Sequence, residues 1–326
     1  MENEIIIRTE NKVSASIFDT GILAGTVSSA TIDAYRTHWR SYCEFAGSGA
    51  AIVESATLTQ WRVALHRDGY TTSSGETRHY SINAINQRLA AIRSIIREAA
   101  EQGYLPRSIA DDFKHVKGLR AVANKERSNP NARTCISRPD MQRIIDAPDK
   151  STLAGKMHHA MLVTLAYVGV RVSEAATMKI SDIAWHVNED GVSGWVVNVA
   201  GKNKIDATPR PLAPQAKIAI DAWLAARSAL GVESEFIFTS FAGRGNRATN
   251  RPISRVSAWQ LVQRYASEVG LSHVKPHDFR RFVGTQLARQ DIRLAQKQLG
   301  HSSISTTAKH YVLDGVAVGS TDNLLG

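Results

Sequence analysis

Apolar residues recur along this chain mainly at three- and four-residue steps, the spacing that lays one stripe along a helix. From about Thr26 onward, Ile32, Tyr35, Trp39, Tyr42 and Phe45 form such a stripe, Ser28 or Ser29 stands where a helix cap is needed, and Arg36 and Arg40 fall off the apolar side. A second helix is expected from Leu58 to Arg67. A third runs from Ser81 to Gln102, with Ile82, Ile85, Leu89, Ile92, Ile95 and Ile96 as its buried face. Gly103 and Pro106 close it, and a shorter helix follows from Ser108 to Val116. The first 20 residues carry no sustained period and read as an arm.

Between Gly118 and Thr134 the chain reads GLRAVANKERSNPNART, polar, basic and interrupted by Pro130, which predicts a linker. Ser137-Arg138-Pro139 then opens a new helix, because serine can cap it and proline suits its first turn. Further helices are expected at Leu153 to Val168, Pro214 to Leu230, Ser254 to Val269 and His277 to Arg289. One segment breaks the helical pattern: Gly194 to Ala200, GWVVNVA, is rich in β-branched residues and pairs with Thr208 to Leu212 as a small β-hairpin. The pattern alone therefore predicts two mostly helical domains, 21–117 and 135–326, the second ending in a short tail.

Composition narrows the class. A length of 326 residues suits two cores, and 43% hydrophobic with 21% charged residues is ordinary for a globular protein. The longest apolar run, Ala160 to Val170, is about half of the ~20 residues a bilayer demands, so it reads as a buried helix and no membrane partner is expected. The start Met-Glu-Asn-Glu is acidic and lacks the basic flank and long apolar stretch of a secretory signal. Cys43 and Cys135 are the only cysteines, which gives no support to a disulfide framework or a Cys-rich zinc site and fits a reducing cytoplasm. The net charge of +10 favours a polyanionic partner, and +8 of it falls after residue 130.

That second part also holds the reactive side chains. Tyr167-Val-Gly-Val-Arg171-Val-Ser-Glu174 joins the end of a buried helix to the start of another. Gly201-Lys202-Asn-Lys204 sits at the expected hairpin turn, His277-Asp-Phe-Arg280-Arg281 begins a helix, and Leu299-Gly-His301 precedes a stretch ending at Tyr311. Singly, each has an ordinary explanation. Arg171 and Glu174 could be a surface pair worth a few tenths of a kcal/mol, and Tyr311 is one of 8 tyrosines.

In this order they resemble the tyrosine recombinase, or phage integrase, family. The first arginine box of that family, Gly-x-Arg-x-Ser-Glu, is matched by Gly169 to Glu174; its hairpin lysine falls on Lys202; its His-x-x-Arg box on His277 to Arg280; its Leu-Gly-His box on Leu299 to His301. The resemblance covers most of the chain. It implies a mainly α fold with a small β-sheet, in which a helical, SAM-like core-binding domain and an α/β catalytic domain close round a duplex. It also implies a site-specific recombinase that cuts and rejoins DNA through a 3′-phosphotyrosyl bond, with Tyr311 as nucleophile and Arg171, Lys202, His277, Arg280 and His301 as the other catalytic residues. Glu174 would brace Arg171. Arg88, Arg93 and Arg97 on the third helix, and Lys204 on the hairpin turn, would contact phosphate.

Two departures from the family pattern stand out. The commonest place for the tyrosine, nine residues after the histidine, is His310 here, and Tyr311 comes ten after His301; position 281 is arginine where histidine is frequent. The partners implied are double-stranded DNA and, on synapsed DNA, three further copies of the chain in a homotetramer, with a monomer or weak dimer when free. No cofactor is implied, neither ATP nor metal, in keeping with the lack of a P-loop, a His-Glu-x-x-His box or a Cys-x-x-Cys pair. A type IB topoisomerase-like enzyme and a catalytically silent DNA-binding regulator are the alternatives.

Overall fold

A computed structural model describes residues 21–311 apart from positions 48, 73, 121–135, 202–206, 244–246 and 302. The expected arm 1–20, most of the expected linker and the tail after 311 therefore lie outside the described residues. The chain divides into two compact units, Met1–Asn129 and Pro130–Gly326.

In the first unit the helices are α1 (Ser29–Ala46), α2 (Gly49–Ile52), α3 (Ser55–Asp68), α4 (Ile82–Glu101) and α5 (Arg107–His115), with a two-residue antiparallel ladder of β1 (Tyr70–Thr71) and β2 (Thr77–Arg78) before α4. Serine side chains start the two long helices: Ser28 accepts from the Thr31 amide, and Ser81 from the Ala84 amide at 3.1 Å. The α4 stripe forms the heart of the core, where Ile85, Leu89, Ile92, Ile95 and Ile96 are buried against Trp39, Tyr42, Trp61 and Phe113. Phe45, expected on the α1 stripe, is 41% exposed instead. Two successive three-residue steps from Trp39 turn it by about 120°, which carries it off the buried face. Gly118 and Leu119, expected in the linker, are held by α4: Asn86 accepts from the Leu119 amide at 2.8 Å and donates to its carbonyl at 3.0 Å.

The second unit is built round α7 (Leu153–Val168), which is apolar on nearly every side and buried through Met157 and Ala160–Ala166. Packed on it are α6 (Arg138–Asp146), the short α8 (Val172–Ala176), α9 (Pro214–Ser228) and α11 (Pro276–Ala288). Thr152, Ser137 and Ser254 cap α7, α6 and α10 (Arg255–Glu268) with their side chains. The expected hairpin proves to be part of a larger sheet. A strand β3 (Ile183–Val187) joins β4 (Ser193–Ala200) and β5 (Ala207–Pro211) in an antiparallel sheet of order β3-β4-β5. A second ladder, β6 (Thr239–Ala242) with β7 (Arg247–Pro252), has no counterpart in the sequence reading. Its residues are mostly polar and include Pro252, so neither run carries a strand signal. The chain ends, as far as it is described, in α12 (Ile292–Leu299) and α13 (Ile304–Tyr311).

Candidate active site

The first arginine is set by a helix that must stop abruptly. Gly169 closes α7 in the left-handed conformation, with φ 72°, and its amide bonds the Leu165 carbonyl. A Cβ there would also come within 3.1 Å of Val283 and Leu299 side chains, so glycine serves both backbone hand and close packing. Two residues later Arg171 stands at the N-cap of α8, and Glu174 takes up its loose donors: the Arg171 amide reaches Glu174 Oε2 at 2.7 Å and Nη1 reaches Oε1 at 2.6 Å. The Arg171 side chain keeps 39% of its exposure while Glu174 keeps 9%.

Helix α11 brings the next two residues. Pro276 occupies its first turn and Asp278 accepts from the Lys275 amide at 2.8 Å, which fixes the start. His277 and Arg280, three apart, then share a face. Arg280 is 1% exposed; it donates to the carbonyls of Gly169 at 2.8 Å and Leu299 at 2.5 Å, and Nη2 lies 3.2 Å from His301 Nε2. With Arg280 as donor, the His301 ring proton belongs on Nδ1, which faces Thr307 Oγ1 at 3.0 Å. Burial first, then the charges of Arg281 and Arg280, hold His277 below the ordinary imidazole value.

His301 follows Gly300, the left-handed cap of α12 with φ 65°. Gln298 on that helix ties three pieces together, donating to the carbonyls of Val168 at 2.9 Å and Pro211 at 3.2 Å. The stretch expected before Tyr311 is helical, and the Tyr311 backbone ends α13; its side chain, like Lys202 and Lys204, lies outside the described residues. Arg171, His277 and Arg280 thus line one cleft of about 590 Å³, together with Ser173, Arg255 and Trp259. Among the described residues no cluster of three His, Cys, Asp or Glu side chains could hold a metal ion.

One charged member of this cluster escaped the sequence reading. Arg210 on β5 is 1% exposed, with Nη1 3.4 Å from Glu174 Oε2. Its register partner on β4 is the fully buried Val197, so an inward-facing arginine was readable from strand alternation once β4 and β5 were paired. The arginines of the first unit behave otherwise. Arg88 stacks 4.0 Å over the Tyr80 ring and donates to Ala84 O. Arg93 donates to the carbonyls of Leu89 and Val116, and Arg97 pairs with Glu98 and Glu101.

The family model of the phage integrase family matches residues 135–315. A tyrosine recombinase XerC of Roseiflexus castenholzii is 28% identical over 291 residues, spanning 86% of this chain and 82% of its own. The tyrosine recombinase XerC of Myxococcus xanthus is 31% identical over 233 residues, 69% of each chain. Among solved structures, the Tn1549 transposon integrase in complex with circular intermediate DNA has a similar fold, with TM-score 0.64 and 15% identity over 95% of this chain and 98% of that one. The XerH site-specific recombinase bound to its palindromic difH substrate gives TM-score 0.62 and 16% identity over 92% and 81%.

Proposed function

The chain belongs to the phage integrase family and is a tyrosine-type site-specific recombinase, and from that premise we propose how its residues divide the work of cutting and rejoining DNA. The Tyr311 phenol attacks the scissile phosphorus. The Oη–P bond forms, the P–O5′ bond breaks, and the 3′ end of the cut strand stays on the enzyme. A phenol with an ordinary pKa near ~10 is almost wholly protonated at neutral pH, so its proton must be taken up as the bond forms. His277, held neutral by burial and by its arginine neighbours, accepts it. Lys202 on the hairpin turn gives a proton to the departing 5′ oxygen. Rejoining is the reverse, with a 5′ hydroxyl of the partner strand as attacking group.

The negative charge gathered on phosphorus meets Arg171 and Arg280, permanently charged donors that need no reorganisation when the bond breaks. Glu174 braces Arg171, and His301 orients Arg280. The observation that carries this reading is the convergence of Arg171, His277 and Arg280 on one cleft, with His301 touching Arg280. A nicked suicide substrate tests it: the wild type should accumulate a covalent protein–DNA adduct and Tyr311→Phe none. An adduct in Tyr311→Phe would move the nucleophile elsewhere.

The reaction takes place in a homotetramer on synapsed double-stranded DNA, serving integration, excision or resolution of a mobile element or replicon in the cytoplasm. A lambda integrase of similar fold is a tetramer on a Holliday junction, with TM-score 0.60. The residues after Tyr311, which include Val316, Val318, Leu324 and Leu325, dock on a neighbouring protomer. Supporting this, the second unit carries an apolar groove of about 890 Å³ lined by Met141, Tyr167, Trp185, Trp195, Phe282 and Leu287. Deleting residues from Gly315 onward should abolish synapsis while duplex binding persists; unchanged synapsis would reject the docking.

A further inference from the structure

Arg210 is not one of the family's boxes, yet it touches two of them. Its Nη1 meets Glu174 of the first arginine box at 3.4 Å. Its guanidinium also lies against Gly300 of the Leu-Gly-His box, where an added Cβ would come within 2.9 Å of Nη2. The next residue, Pro211, accepts from Gln298 on the helix that ends at that box. Arg210 therefore bridges α8 to the end of α12 from β5.

The charge arithmetic asks for a reason. Arg171 and Arg210 share one carboxylate, Glu174, and Arg210 is 1% exposed. The buried Arg210 Nε has no hydrogen-bond partner. Burying a charge without full compensation costs several kcal/mol, and an aliphatic side chain opposite Val197 would avoid that cost. Glu174 bonds the Arg171 amide through Oε2 and its guanidinium through Oε1, and without Arg210 it would serve Arg171 alone and cancel more of that arginine's field. With Arg210 drawing on Oε2, the carboxylate's charge is divided and more of Arg171 remains for an anion in the cleft.

We propose that Arg210 is a positioning residue for strand cleavage, dividing the charge of Glu174 so that Arg171 keeps its pull on the scissile phosphate, and locking that pair against Gly300 beside His301. Glu174 supports this in its own titration. Burial alone would raise the carboxyl, but the Arg171 amide, Arg210 and the Arg171 side chain hold it below the ordinary carboxylate range. Removing Arg210 relaxes that hold, so a form of the site with protonated Glu174 appears at higher pH than in the wild type.

This inference rests on the recombinase reading above, and the test separates the two. Single-turnover adduct formation on the nicked substrate is followed against pH, with duplex affinity measured in parallel. Arg210→Met should slow the adduct by about 100-fold, as loss of a preorganised charge typically does, with affinity changed by less than about threefold and the acidic limb that belongs to Glu174, the lower of two steps beneath that of His277, moved to higher pH. Arg210→Lys should return the limb and recover at least about tenfold in rate. In a Glu174→Gln background, adding Arg210→Met should cost less than about threefold, because the group it acts through is already neutral. A wild type without adduct defeats the recombinase chemistry itself. A wild-type adduct with Arg210→Met within about threefold of it, with an unmoved acidic limb, or with an undiminished cost in the Glu174→Gln background, overturns only the role of Arg210. Should Arg210→Met alone fail to fold, the Glu174→Gln/Arg210→Met pair leaves no lone buried charge, and its rate relative to Glu174→Gln decides.

Discussion

Arginines of the first unit and of the second unit's cleft meet different fates. Several in the first unit sit at the surface beside an acid of their own: Arg36 with Asp33, Arg67 with Asp68, Arg78 with Glu76, and Arg97 with Glu98 and Glu101. At the cleft of the second unit, Arg171 and Arg210 share Glu174, and Arg280, out of water like Arg210, reaches the Gly169 carbonyl. Exposed pairs are worth under about 1 kcal/mol and leave little field behind them. A buried excess of positive charge is costly to the fold and is useful where an anion arrives to complete it. The same residue type is therefore surface chemistry in exposed pairs, such as Arg97 with Glu101 or Arg264 with Glu268, and machinery at the cleft.

The widest gap should appear at Arg280. Arg280→Lys is expected to lower single-turnover cleavage by about 100- to 1000-fold, because one ammonium cannot hold Gly169 O, Leu299 O and His301 together. Duplex affinity, measured by gel shift, should barely follow; a matching loss of affinity would erase the distinction between machinery and surface. In the first unit the large effects should belong to apolar residues instead. Ile95→Ala, at a fully buried position of α4, should destabilise by about 2–5 kcal/mol in urea melts, whereas Arg97→Ala should stay within about 0.5 kcal/mol.

Titration gives a subtler contrast. His277 must be neutral to accept a proton, and its imidazole is held below 6.5 by burial and by Arg281 and Arg280. As pH falls, protonation of a group with a lowered pKa is delayed, so the His277 step in the decline of cleavage should be centred below pH 6.5. A decline centred above 6.5 would mean that His277 is not the base. The smallest effect is expected at Arg88 and Arg97. If they reach phosphate, replacing either by alanine should reduce the slope of log affinity against log salt by about 1, with cleavage of bound DNA unchanged. Arg93→Ala should instead cost about 1 kcal/mol of stability, since the Val116 carbonyl loses its donor.

What could be read from the sequence was whatever repeats locally. The isoleucines of α4, the serine caps at Ser28 and Ser137, and the apolar body of α7 announce themselves within one or two turns. The boxes at Gly169, His277 and Leu299 were legible by resemblance. Strands β3, β6 and β7 were not, because Ile183–Val187 is short and half exposed, and the other two are polar runs stabilised by pairing with each other. Arg210 was least visible of all. Strand alternation opposite Val197 gives only its inward side, and its meaning comes from Glu174 and Gly300, residues 36 positions before it and 90 after.

The most direct test is chemical identification of the covalent bond. Adduct trapped on a nicked substrate, digested with trypsin and nuclease, should yield a nucleotide joined through its 3′ phosphate to Tyr311, within the peptide that begins at His310, and the link should survive acid as a phosphotyrosine does. A nucleotide on His310, on another tyrosine, or joined through a 5′ phosphate would contradict the account.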